Sequence, residues 1–165
     1  MLTDGNLTTD ATNLLTLGAG VVVVPDGGSA TSFVDGPVQK LGDDDFVFPI
    51  GNGSNWAPLG ILFTVMNPAD GFTAEYSATE MSGSLDPGLE RVSTVEHWNL
   101  TRLNPANPDP INITLYWTSE GSGITDPMDG LTIAHLEGGV WTAIPVIAAS
   151  GSSSSGSITA GPVTS

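Results

Sequence analysis

Apolar and other side chains alternate along this chain in short stretches, with turn residues recurring about every ten positions. The clearest sets are Phe46, Phe48 and Ile50; Phe72, Ala74 and Tyr76; and Ile111, Ile113, Leu115 and Trp117. A period of two puts each set on one face of an extended strand. Leu14 to Leu17 and Val21 to Val24 are two apolar runs on either side of Gly18-Ala19-Gly20. Four consecutive valines are stiff at χ1 and favour a strand. Leu59 to Met66 predicts a further strand, and Val92 to Leu100 a long, bulged one. Leu131 to Leu136 and Val140 to Ile147 flank Glu137-Gly138-Gly139, which reads as a hairpin. Pro25-Asp26-Gly27-Gly28, Asp35-Gly36, Asn67-Pro68, Asp70-Gly71 and Asp86-Pro87-Gly88 supply turns. Pro49 marks a strand end or an edge, and the three prolines between Asn104 and Pro110 exclude regular structure there.

No segment sustains a helical period. The pattern predicts an all-β fold, an antiparallel β-sandwich of about ten short strands, with a β-barrel as the alternative. Three regions follow: residues 1–30 as an N-terminal strand segment, 31–149 as the sandwich module, and 150–165 as a Gly/Ser linker with a terminal strand at Ser157 to Ala160.

Composition narrows the function. Eighteen acidic residues stand against three Lys and Arg, a net charge of −15. Such a chain repels phosphate backbones and anionic lipid, so nucleic acid is excluded as a partner. No apolar run reaches membrane-spanning length, which excludes helical membrane insertion. The absence of cysteine removes disulfides, thiolate metal sites and cysteine nucleophiles. No basic n-region and apolar h-region follow Met1, so an export signal is expected outside the 165 residues, which read as a fragment, a processed form or an unusual stand-alone protein.

Few residues carry chemistry. Asp43, Asp44 and Asp45 are adjacent at a strand entry and are a candidate Ca²⁺ site, as are Asp126 and Asp129; the competing reading is solvated turns that also protect an edge. His97 and His135 lie on separate strands with no third zinc ligand in sequence. No Gly-x-Ser-x-Gly elbow and no phosphate-binding loop occur, so an enzyme, in particular a hydrolase, is the weakest reading. Trp98, Trp117 and Trp141 fit core positions, whereas Trp56, in a Gly/Asn loop, is the candidate exposed platform for a polysaccharide. Val21, Val22, Val23 and Val24 are the candidate assembly segment, donated to a neighbouring copy by β-strand addition.

Several stretches carry a resemblance. Thr31-Ser32-Phe33-Val34-Asp35-Gly36-Pro37-Val38-Gln39-Lys40, Phe46-Val47-Phe48-Pro49-Ile50-Gly51 and Val92-Ser93-Thr94-Val95-Glu96-His97-Trp98-Asn99-Leu100 resemble a β-rich module of large secreted and cell-surface proteins of Bacteroidetes. Leu115-Tyr116-Trp117, Gly123-Ile124-Thr125-Asp126 and the closing Gly161-Pro162-Val163-Thr164-Ser165 extend the resemblance over roughly residues 12–165. Such modules commonly precede a type IX secretion sorting domain, and no such domain is seen here. The resemblance implies an extracellular or cell-surface location and carries over no catalytic residue. The expectation is a non-catalytic structural or adhesive module, self-associating into filaments or contacting neighbouring domains; the alternative is a carbohydrate-binding module.

Overall fold

The computed structural model describes residues 4–118, 122–124 and 130–164, and among them the chain is all-β, with sixteen strands and no helix. No sheet closes into a barrel. The main sheet is antiparallel, in the order β15 (Val146–Gly151), β16 (Gly156–Val163), β12 (Ile111–Trp117), β8 (Leu59–Phe63) and β5 (Phe46–Phe48). A second sheet runs β11 (His97–Arg102), β9 (Gly71–Ser77), β4 (Val38–Leu41) and β2 (Leu15–Leu17), its last pair parallel. Two smaller sheets flank these. One is β1 (Leu7–Thr8), β3 (Val34–Asp35), β6 (Ile50–Asn52) and β7 (Asn55–Trp56); the other is β10 (Ser84–Leu85), β14 (Val140–Ile144) and β13 (Ile133–Glu137).

Register explains the core. Leu115 pairs with Leu59 and Ile158, and Ile113 with Ile61 and Ala160, so these residues share one face of the main sheet. Phe46 and Phe48 join them across β8. One half of this face packs against Val38, Phe72, Ala74 and Tyr76 of the second sheet. The other half buries Ile158, Ala160 and Trp117 against Ile133 and Ile144 of the β13–β14 hairpin. Ile113 and Leu115 touch both clusters. The three predicted alternations are therefore the spine of the interior. Pro49 lies between β5 and β6, at the point where the chain leaves the main sheet for the β3–β6 sheet, consistent with its missing N–H.

Three local expectations change. Among the described residues, Val21 to Val24 joins no sheet. The turn closed by Val21 N–H to Gly18 O and the next one, Gly28 N–H to Pro25 O, leave it without a strand beside it, and Val22 and Val24 stand 78% and 60% exposed. Strand propensity is realised only against neighbours. The strand expected from Val92 starts at His97 instead, because the Ser93 hydroxyl accepts the N–H groups of Val95 and Glu96 and turns the chain. The Gly/Ser stretch expected as a linker is a hairpin tip: Ser152 donates its N–H to Ser155 O at 2.8 Å, and Gly151 pairs with Gly156. Gly156 is there for space, since a Cβ would lie 2.2 Å from Trp117 Cζ2.

Two of the three cations are folded inward. Lys40, the only lysine, occupies an inward position of β4 and its Nζ donates to Leu41 O at 2.6 Å and Asp44 Oδ2 at 2.8 Å, 5.6 Å from the Phe46 ring centre. Arg102 lies over Phe72 and donates to Asn107 O and Asp109 O, both at 2.7 Å. Its Nε is 3.6 Å from buried Asp70 Oδ2, an ion pair too long for a hydrogen bond. Of the three, Arg91 alone is exposed.

Candidate functional site

The acidic run does not converge. Asp44 accepts Gly20 N–H at 2.7 Å and the Lys40 ammonium, and these two bonds hold its carboxyl below the usual carboxylate value. Asp45 accepts Phe63 N–H at 2.9 Å, while Asp43 Oδ2 is buried without a partner. Asp44 and Asp45 thus face different neighbours. Asp126 and Asp129 lie outside the described residues. Among the described residues no three His, Cys, Asp or Glu side chains form a metal-sized group.

The histidines sit in different sheets, His97 in β11 and His135 in β13, and the His97 ring is held to Thr79 O at 2.8 Å. Trp117 is buried in the core. Trp98 is half-buried, donates to Ala57 O at 3.0 Å and packs at 5.3 Å from the Tyr76 ring. Trp141 is half-buried against Gly83, its Nε1 without a partner.

Trp56 lines two open clefts, and Trp117 borders the second of them. On one side, Asn55, Tyr76, Val95, Glu96 and Thr118 border a cleft of about 210 Å³. Here the Tyr76 hydroxyl donates to Glu96 Oε2 at 2.8 Å, and burial together with that carboxylate pushes the phenol well above its ordinary value. On the other side lies a cleft of about 480 Å³ over the outer face of the main sheet, bordered by Asp26, Pro58, Tyr116, Thr118, Ser155 and Ser157.

Local sequence builds this second cleft. Tyr116 has the opposite parity to Leu115 and Trp117 in β12, so it points away from the core. Gly60, across the sheet from Thr114, keeps the surface beside the Tyr116 ring low. The Pro25–Gly28 turn settles onto the sheet because Gly27, at φ +72°, has no Cβ; one would meet Val47 Cγ1 at 2.8 Å. Trp56 Nε1 then donates to Gly27 O at 2.7 Å, which fixes the indole beside Asp26. Burial raises the Tyr116 phenol above its ordinary value, and the Asp26 charge adds to the effect. Asp26 and Tyr116 escaped sequence reasoning, which took Asp26 as a turn residue. The polar-side parity of Asn112, Thr114 and Tyr116 was the available signal.

A second feature is the free edge of the main sheet. β15 pairs with β16 on one side, and no strand among the described residues pairs with it on the other. Val146 is 45% and Ile147 56% exposed, and a register shift between Val146 and Ala148 leaves Ile147 outside the ladder. No Asp, Glu, Lys or Arg follows Glu137, and none lies between Asp10 and Asp26. The free edge and the Val21 to Val24 segment therefore both belong to charge-free stretches of a strongly acidic chain. The opposite edge, β5, is instead preceded by Asp43, Asp44 and Asp45 and followed by Pro49, residue types that discourage pairing. In comparisons with protein-family models, curated proteins and solved structures, no significant match to the chain was found.

Proposed function

We propose that this chain is a non-catalytic structural or adhesive module of a secreted or surface-displayed bacterial protein, and that copies associate by strand addition at β15. The observation that carries the reading is the unpaired β15 edge, with Val146 and Ile147 exposed in a charge-free segment. An exposed apolar edge offers a row of unsatisfied N–H and C=O groups to another chain. Elsewhere, a surface of net charge −15 repels its own copies. The donor in this reading is Val21 to Val24 of a second copy, which has no strand partner among the described residues and presents Val22 and Val24 outward. The resemblance to modules of secreted Bacteroidetes proteins supports the extracellular location.

Sedimentation velocity and electron microscopy of the purified chain test the proposal. Concentration-dependent oligomers or filaments are expected for the native chain. Ile147→Glu is expected to leave the fold intact, because the side chain is mostly exposed, and to abolish association. A native chain that stays monomeric at high concentration, or oligomers indifferent to Ile147→Glu, would refute assembly at this edge.

A further inference from the structure

We propose that the cleft between Trp56, Tyr116 and Asp26 binds a neutral saccharide. The cleft, at about 480 Å³, is within the range of small-molecule sites. Its lining combines two kinds of group that a sugar needs together. The faces of Trp56 and Tyr116 are apolar surfaces for the C–H side of a pyranose ring. The Asp26 carboxylate and the hydroxyls of Thr118, Ser155 and Ser157 are acceptors and donors for ring hydroxyls.

Other ligand classes fit less well. A purely apolar ligand would cover the carboxylate and three hydroxyls without giving them partners, which is unfavourable. An anion finds no Lys, Arg or His in the lining and meets the field of a chain at −15. Among the described residues a cation finds a single carboxylate, Asp26. A neutral polyol remains, able to use both the rings and the polar groups.

The cleft is also fixed before any ligand arrives. Trp56 Nε1 is held by Gly27 O, and the Trp56 carbonyl accepts the Thr118 hydroxyl, so the indole is tied from both ends of the residue. The bond to Gly27 O also anchors the turn that carries Asp26. The cleft lies over a five-stranded sheet, in which the Thr114 and Thr159 hydroxyls bond each other at 2.9 Å. Ordering these groups in advance lowers the entropic cost of binding.

Titration of the intact chain with cellohexaose, xylohexaose, mannohexaose, polygalacturonate and chitosan oligomers, followed by tryptophan fluorescence and calorimetry, tests the site. At least one neutral hexaose is expected to bind and perturb the fluorescence, and polygalacturonate is not. Tyr116→Ala should weaken binding about tenfold, and Asp26→Asn about threefold. Trp56→Ala removes an anchoring bond and risks the fold, so Trp56→Phe serves beside it: it keeps a ring and should retain binding within about tenfold. Ile147→Glu should bind as the native chain does, which separates this site from assembly at β15. The proposal falls if none of the neutral hexaoses binds at millimolar concentration, if binding survives Tyr116→Ala unchanged, or if only the charged oligomers bind.

Discussion

Association at β15 must work against the charge of the whole molecule, so its salt dependence is calculable. A compact chain of 165 residues has a radius of about 20 Å. Two such bodies in contact, each at −15, repel by about 23 kcal/mol in unscreened water. With a Debye length near 30 Å in 10 mM salt, this falls to about 8 kcal/mol; at 150 mM it is about 2 kcal/mol, and at 1 M below about 0.5 kcal/mol. These are upper figures, because the charged side chains all lie within residues 1–137 and the β15 edge is in the neutral remainder. Burying Ile147, now about half exposed, contributes only about 1 kcal/mol per copy. Repulsion therefore decides whether the edges meet.

The expected outcome is steep. Between 10 mM and 150 mM NaCl the association constant, measured by sedimentation equilibrium, should rise at least about tenfold and by at most about four powers of ten. Near pH 4.1, where the net charge vanishes, the same salt step should change little. Association that weakens on adding salt would mean that attraction between charges drives it. Association indifferent to salt at pH 7 would mean that the contact lies where the field does not reach. Either result would refute the edge-pairing argument.

Other expectations concern the fold. Arg102→Met should cost about 3–5 kcal/mol in urea unfolding, because buried Asp70 loses its counter-charge and the carbonyls of Asn107 and Asp109 lose their donor. Lys40→Met should cost only about 1 kcal/mol, since Asp44 is partly exposed and rehydrates, leaving chiefly Leu41 O unpaired. Asp44 has a lowered folded-state value, so its stabilising effect is complete above 3.8 and is lost as pH falls through that lowered value; the difference in Tm between native and Asp44→Asn should vanish in that acid range. Gly156→Ala should lower stability by about 2–3 kcal/mol in thermal unfolding, by forcing Trp117 or the β15–β16 turn out of place. An unchanged Tm there would show that the hairpin tip yields freely.

What the sequence disclosed was decided by range. Phe46, Phe48 and Ile50, or Phe72, Ala74 and Tyr76, announce their buried face through nearest neighbours alone, and all six are buried. The Gly138-Gly139 hairpin is equally local: both glycines adopt positive φ, at 57° and 83°. Long-range pairings left no such mark. The parallel pairs β1–β3, β3–β6 and β2–β4 join short strands whose alternation is too brief to read. The valines at 21 to 24 misled because propensity carries no information about whether a neighbour is present. Trp56 was visible as an unusual loop residue, but its cleft depends on Gly27, about thirty positions earlier, and on Tyr116, sixty later.

The placement of charge connects these features. Burying Lys40 and Arg102 spends the chain's scarce cations on internal carbonyls and on Asp44 and Asp70, so attraction between opposite charges is nearly removed from the outer surface. An acidic exterior of this kind stays soluble and rejects anions and its own copies alike. A contact with a neutral ligand or with another copy then draws mainly on ring faces, hydroxyls or an unpaired backbone edge. The two surfaces that offer them adjoin each other, since Ser155 and Ser157 belong to the β15–β16 hairpin whose other strand is the free edge. A ligand seated on Trp56 and Tyr116 would touch that hairpin, so saccharide binding and edge pairing share one mobile element of structure only if the hairpin moves; its seat on Trp117 through Gly156 argues that it does not, and that the two surfaces act independently.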